Sequence, residues 1–291
     1  MSRRFHYGGQ AVLEGVMIRG KRNVAVAVRR PSGEILLHSE PLSARIYSAS
    51  WGKYPFLRGL LLLWDTLALG MRSLMFSAEA ALGEDDVKFG GAAVWSTLLF
   101  ALGIGVAVFF LTPMLLVDLI DEYLGSSVLA SVLEGLIRLG MFLIYVFAIG
   151  FLPDIRRVFA YHGAEHKVVN AYEDKAPLDL TTVAAYSTAH PRCGTTFLLT
   201  VMVIAILLFA LLGWPSLLWR VLSRIAFVPL IAGLAYEFIR LTVEHQKHPL
   251  FQAIIAPGLA LQSLTTREPD PSMLEVAIAA MEAVLRADEP T

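Results

Sequence analysis

Charge is scarce in this sequence. Only 17% of its 291 residues are Asp, Glu, Lys or Arg, against about 25% in an ordinary soluble domain. The missing charges leave long apolar stretches, and mean hydropathy is +0.61. This excludes a plain soluble globule and points to membrane spans. Cysteine is nearly absent as well. The single Cys193 excludes an intrachain disulfide framework. An apolar leader is also missing, because Met1-Ser2-Arg3-Arg4-Phe5 has no hydrophobic core region. No cleaved signal peptide is therefore expected, and insertion falls to internal spans. No RNA- or DNA-binding motif is present, so nucleic acid is not an expected partner.

The charge that remains is unevenly placed. Residues 1–53 hold Arg3, Arg4, Arg19, Lys21, Arg22, Arg29, Arg30, Arg45 and Lys53 against Glu14, Glu34 and Glu40, a balance of +6, which leaves −7 for the rest of a chain whose net charge is −1. A basic segment beside a membrane suits anionic headgroups on the cytoplasmic side. Within it, Val24–Val28 and Glu34–His38 flank Pro31-Ser32-Gly33, which predicts a β-hairpin or small sheet. Gly8-Gly9-Gln10, Gly15 and Gly20 predict further turns.

Four stretches read as spans. Residues 89–117 and 194–219 are uncharged, 128–152 carry only Glu134 and Arg138, and 223–243 include Glu237 and Arg240 towards one end. Each is long enough to cross about 30 Å of hydrocarbon as a helix. Glu134 and Arg138 are four apart and can pair. Residues 55–79 differ, because Arg58, Asp65, Arg72 and Glu79 recur every seven positions and leave no long uncharged run. This predicts a helix lying in the membrane surface, its charged stripe towards water or headgroups and Leu60, Leu61, Trp64 and Leu67 towards lipid or protein. The alternative is a fifth span with its charges facing the bundle.

Lys and Arg orient the spans. The 153–194 loop holds Arg156, Arg157, Lys167, Lys175 and Arg192, whereas 118–127 holds none and 214–223 only Arg220. The expected protein is mostly α and multi-pass in the cell membrane, with both termini cytoplasmic. A cytoplasmic β-rich region covers 1–54, the in-plane helix 55–79, and a four-helix transmembrane domain 89–250 with its cytoplasmic 153–194 loop. A cytoplasmic helical tail covers 251–291. There Ser272-Met273-Leu274-Glu275 reads as a capping box, opening a helix with a Leu274, Ile278, Met281, Leu285 stripe.

The chemistry gathers in the 153–194 loop. Tyr161-His162-Gly163-Ala164-Glu165-His166-Lys167 places two imidazoles four residues apart, on one face of a helix starting near Pro153 and Asp154. Ile155, Val158, Phe159, His162, Glu165, His166, Val169 and Glu173 share that face; Arg157, Ala164, Lys167, Ala171 and Asp174 lie opposite. Imidazoles so spaced can share a metal ion, and an adjacent glutamate can act as a base. Polar groups on an apolar face need partners, and a metal is one; a hydrogen-bonded structural network is the other. His190-Pro191-Arg192-Cys193-Gly194-Thr195 precedes the third span, with Thr195 or Gly194 placed to cap it. His190 and Cys193 are candidate third and fourth ligands, and a cysteine at a helix N-terminus gains thiolate character. Cys193 as an inert buried thiol is the plainer reading. Glu237 is a further candidate at the same membrane depth, or a partner of Arg138 or Arg240. His245 and His248 read as surface residues.

Four motifs together carry a resemblance. They are the 8–17 segment Gly-Gly-Gln-Ala-Val-Leu-Glu-Gly-Val-Met, the 161–167 histidine segment, Arg192-Cys193-Gly194-Thr195, and the 257–269 segment Pro-Gly-Leu-Ala-Leu-Gln-Ser-Leu-Thr-Thr-Arg-Glu-Pro. In this order, over nearly the whole chain, they resemble the bacterial YqhQ-like membrane proteins, a family of unknown function described as predicted metal-dependent enzymes. The resemblance singles out His162, Glu165, His166, Arg192, Cys193, Glu14 and Gln10, with Glu14 and Gln10 placed to close over the site.

Three functions compete. The first is a membrane metallohydrolase acting on an amide, ester or phosphoester, with His162 and His166 on a divalent ion, His190 or Cys193 completing the set and Glu165 as base. A cysteine ligand favours zinc. The second is a scaffold or assembly factor with a structural polar or metal site and a protein partner. The third is an oligomeric transporter or channel, with Glu134, Arg138, Glu237 and Arg240 along its path.

Overall fold

The structure, a computed structural model, describes residues 7–42, 54, 57–82, 92–245 and 248–289. The expectations for Arg3, Arg4, Arg45, Lys53 and the first positions of the 89–117 run fall outside these residues, as does the side chain of Arg58.

Among the described residues, β1 (Gly8–Val12), β2 (Gly15–Arg19), β3 (Asn23–Arg29) and β4 (Ile35–Pro41) form one antiparallel sheet in sequential order. The predicted hairpin is β3–β4, with Val26 opposite His38. Gly33 turns it at φ +89, a conformation that suits glycine. Gly8, Gly9, Gln10 and Gly15 lie in strands rather than the expected turns. The glycine there serves close packing: a Cβ on Gly15 would sit 2.2 Å from the Ala27 carbonyl oxygen. Alternation sends Val16, Ile18, Ala25 and Ala27 into one core, and Val12, Met17, Val24, Val26 and Val28 into another.

Helix α1 (Leu57–Leu82) covers the second face with Leu69, Phe76 and Ala80. Its charged stripe corrects the expectation at one position. Asp65 is buried and lies 3.7 Å from Arg19 of the sheet, whereas Arg72, 3.1 Å from Glu40, and Glu79 are exposed, so among the described side chains only the Asp65 position departs from the expected solvent-facing stripe. Trp64 and Leu67 are exposed on the other side.

The chain continues through α2 (Ala92–Val106), a π-helical turn (Ala107–Leu111), α3 (Thr112–Asp118), α4 (Asp121–Leu124) and α5 (Ser127–Ile149). Then come α6 (Pro153–Glu173), α7 (Leu180–Ala184), α8 (Gly194–Leu212), α9 (Leu217–Glu244), α10 (Pro249–Thr265) and α11 (Pro271–Asp288). By length and composition, five helical stretches among the described residues can cross a membrane: Gly59–Ala81, Trp95–Asp118, Ser127–Ile149, Gly194–Leu212 and Leu217–Glu244. The protein is a mostly α, multi-pass membrane protein with a small N-terminal sheet. The last four stretches are the expected spans; the first lies within α1.

The connector before α9 is shorter than expected, so Arg220 lies inside the helix, and Arg224 follows one turn later; both are buried. Glu134 pairs with Arg138 as expected, and also with Arg224 of α9. Arg138 Nε donates to the Phe109 carbonyl in the π-helical turn at 2.9 Å.

Residues 251–291 supply two helices with different neighbours. α10 lies along α8, so closely that a Cβ on Gly258 would meet Thr196 at 2.6 Å. α11 sits in the core between the sheet and α6. Its Leu274–Leu285 stripe points inward, but Val276, Ala277, Ala280 and Val284 are buried too. Its N-cap is Asp270, which accepts from Met273 N at 3.0 Å, rather than Ser272. Pro271 favours the first helical position and makes its predecessor the cap. At the far end, Asp288 accepts from Lys21, Arg22 and Asn23 N–H groups at 2.5, 2.9 and 3.0 Å, and from the Tyr7 hydroxyl at 3.1 Å. Burial pushes its carboxyl up, yet these donors together hold it below the usual range.

Candidate metal centre

α6 begins with Leu152 as N-cap, Pro153 in the first turn and Asp154 beside it, so Asp154 contributes negative charge to the helix start rather than a cap. Burial runs from Ala160 to Ala171 almost without a break. The face opposite the histidines is closed over Ala164, Lys167 and Ala171 as well, because α11 and the sheet pack there. Lys167 survives burial by donating to the Ala184 carbonyl at 2.7 Å and pairing with Glu268 at 2.7 Å.

The two imidazoles are oriented alike. His162 Nδ1 lies 2.9 Å from the Thr265 carbonyl oxygen, and His166 Nδ1 lies 2.5 Å from that of Thr188. A carbonyl oxygen only accepts, so each Nδ1 carries the hydrogen. In the neutral ring, Nε2 then holds the lone pair. Backbone carbonyls orient metal-binding histidines in this way. His162 Nε2 lies 3.2 Å from Cys193 Sγ. The ring centroids of His162 and His166 are 4.4 Å apart. One donor atom from each of His162, His166 and Cys193 falls within 4.8 Å of the other two.

Cys193 is the N-cap of α8, in place of Thr195 or Gly194, and its sulfur contacts Thr195 N at 3.5 Å and Thr195 Oγ1 at 3.2 Å. Glu165 is buried, with Oε2 3.5 Å from His166 Nε2, beside the three donors but outside their set. His190 is near, its ring 5.7 Å from that of His166. Its Nε2 turns towards Glu173 at 3.6 Å and Arg192 at 3.4 Å, and Arg192 also binds Glu173. His190 and Arg192 thus belong to a neighbouring ionic group.

Glu14 and Gln10 are held elsewhere. Glu14 accepts from Arg157 Nε and Nη2 at 2.7 and 2.6 Å and from the Tyr161 hydroxyl at 3.4 Å, tying the β1–β2 turn to α6. Burial and then Glu14 push the Tyr161 phenol up, so it stays a donor. Gln10 donates to Gly70 of α1 at 3.3 Å. Glu237 lies 3.9 Å from Arg240 on α9. His245 and His248 are exposed.

Sequence reasoning missed the residues that fix the donors and their neighbour His190. Gln262 clamps His190 through both backbone groups, at 2.9 and 2.7 Å, and binds Thr196 at 3.0 Å. Thr265 and Thr188 act through carbonyls, which no side-chain pattern records. Gln262 and Thr265 did lie inside the 257–269 motif.

Residues 54–287 match the family model described as "Protein of unknown function (DUF1385)". The chain belongs to the DUF1385 family. It is 34% identical over 298 residues to the "Uncharacterized protein YqhQ" of Bacillus subtilis (strain 168), covering 97% of this chain and 93% of that protein. No solved structure matches the chain. Neither description names an activity, and the sheet before residue 54 lies outside the matched family segment.

Proposed function

We propose that this DUF1385 protein is a membrane metallohydrolase whose extramembrane domain holds a zinc-like ion on His162, His166 and Cys193. The observation that carries this reading is the common orientation of the imidazoles, each Nδ1 on a backbone carbonyl, with one donor atom from each ring and the Cys193 sulfur within 4.8 Å of one another. Bonds of about 2.0–2.3 Å suit these donors to zinc, and three protein ligands leave a fourth position open. A bound ion would supply Lewis acidity and an acidified water for cleaving an amide, ester or phosphoester. Glu165 would take the proton, its carboxylate already beside His166. Arg192 and His190, fixed on Glu173, would offer charge and hydrogen bonds at the edge of the site.

The domain would sit on the cytoplasmic face, following the Lys and Arg of the 153–194 segment. α1 would lie in the membrane surface. One side of it packs on a water-soluble sheet, while Trp64, Leu67 and Leu74 are exposed on the other.

Metal analysis of the detergent-purified chain tests the proposal. The wild type should hold about one equivalent of zinc, lost in His162→Ala, His166→Ala and Cys193→Ser and retained in His190→Ala. Glu165→Gln should keep the metal and lose hydrolysis of test esters. A metal-free wild type whose thermal stability ignores chelators would overturn the reading in favour of a scaffold.

A further inference from the structure

A second charged cluster lies far from the histidines, where α3, α5, α8 and α9 meet. Arg138 and Arg224 share Glu134, and Arg220 Nη2 binds Asp118 at 2.5 Å. Three guanidinium groups thus face two carboxylates, which leaves one positive charge without a counter-ion in this bonded group. Arg220 and Arg224 are only 4% and 6% exposed. The aromatic faces of Trp214 and Phe209 cover them, at 4.1 and 4.5 Å from the guanidinium carbons.

The hydrogen-bond inventory is unbalanced in the same direction. Arg220 Nε, Arg220 Nη1, Arg224 Nε and Trp214 Nε1 are buried without a partner. A buried donor without an acceptor is costly. All four are donors, so the missing partner is an acceptor, and the excess charge makes it an anion. Ionisable side chains inside a span call for a named partner.

Beside the cluster is an apolar groove of about 380 Å³, lined by Leu212, Pro215, Trp219, Leu222, Ser223 and Phe227. Its lining residues Trp219, Leu222, Ser223 and Phe227 alternate along α9 with Arg220 and Arg224. Ser223 Oγ donates to the Arg220 carbonyl at 2.9 Å, and Phe227 packs in the cluster that contains Phe209. An acceptor head next to an apolar channel, within a helix apolar enough to span, is the outline of one class of molecule.

We propose that this end of the helix bundle binds an anionic phospholipid, its phosphate on Arg220 and Arg224 and an acyl chain in the Leu212–Phe227 groove. Trp214 lies over Arg220 and turns aside to admit the phosphate, its indole N–H becoming a further donor. Zwitterionic lipid fits less well, because its own cation competes with the arginines.

The test uses the full chain in detergent, followed by thermal unfolding during titration with short-chain phosphatidylglycerol, short-chain phosphatidylcholine or inorganic phosphate. Phosphatidylglycerol should stabilise the protein saturably, and the other two should not. Arg224→Gln should raise the half-saturating concentration about tenfold or more, as expected for loss of a charge-assisted hydrogen bond. Ala226→Trp guards against misfolding, because Ala226 is exposed on the groove wall and touches none of the charges. It should weaken phosphatidylglycerol binding similarly and leave the unliganded melting temperature unchanged. Equal stabilisation by phosphatidylcholine would overturn charge recognition. Stabilisation by inorganic phosphate alone would assign the site to a free anion and overturn the lipid. Unaltered phosphatidylglycerol binding in both variants would place that lipid elsewhere.

Discussion

The carbonyl oxygen of Arg267 occupies the space that a side chain on Gly163 would need. A Cβ there would lie 2.1 Å from it. The strap after α10 therefore rests directly on α6, where Arg267 N also donates to the Phe159 carbonyl at 2.9 Å. Two residues earlier, at the end of α10, the Thr265 carbonyl holds His162.

This contact makes Gly163→Ala informative. In an open helix the change stabilises by about 1 kcal/mol. Here the methyl group displaces backbone, so the variant should be less stable by about 1–3 kcal/mol. It should also bind zinc more weakly, because the carbonyl that orients His162 moves. Thermal unfolding and zinc titration check both; a stabilised variant with unchanged zinc binding would show that the strap yields freely.

Asp288 provides a pH test. Its folded pKa is depressed, so its stabilisation is complete above the ordinary aspartate value of about 3.9 and is lost as pH falls through the lower folded value. Asp288→Asn should cost about 1–2 kcal/mol at neutral pH, and the gap from wild type should shrink under acid. Unfolding curves at neutral and acidic pH measure it. A gap that stays constant would assign the effect to shape rather than charge.

Topology is open to chemical labelling. In a Cys193→Ser background, cysteines at Ser126 and Asp174 should react with membrane-impermeant reagents from opposite sides. The α5 span lies between the two positions. Labelling from the same side would refute the four-span arrangement.

Much of this architecture is written in local pattern. Apolar runs gave the four spans, and period-two alternation with Pro31-Ser32-Gly33 gave β3–β4. That the i, i+4 histidines share one face was legible, because spacing is a local property, and the structure brings Cys193 beside them. What escaped depends on distant partners. β1 and β2 are glycine-rich strands that look like turns until Ala27 and Met17 pack on them. Asp65 on α1 looked solvent-seeking because its partner Arg19 lies on a strand far back in sequence. His190 looked like a ligand, yet Glu173 and Arg192 claim its free nitrogen. Arg224 is one of several charges in a long, largely apolar helix, and its importance emerges only when α5 brings Glu134 alongside.

The grip of Asp288 on Tyr7 and the β2–β3 turn joins positions as far as 281 residues apart. In a chain made from its N-terminus, the sheet emerges first and its covering helix α11 last. The core faces of Val16, Ile18, Ala25 and Ala27 must therefore wait, uncovered, while the intervening spans are threaded into the bilayer. Such long-range closure is slow and leaves an apolar surface open to misassociation. Biogenesis thus has a fixed order, with insertion first and domain closure second. Nascent chains arrested before residue 271 should engage holding chaperones and remain sensitive to protease throughout the sheet.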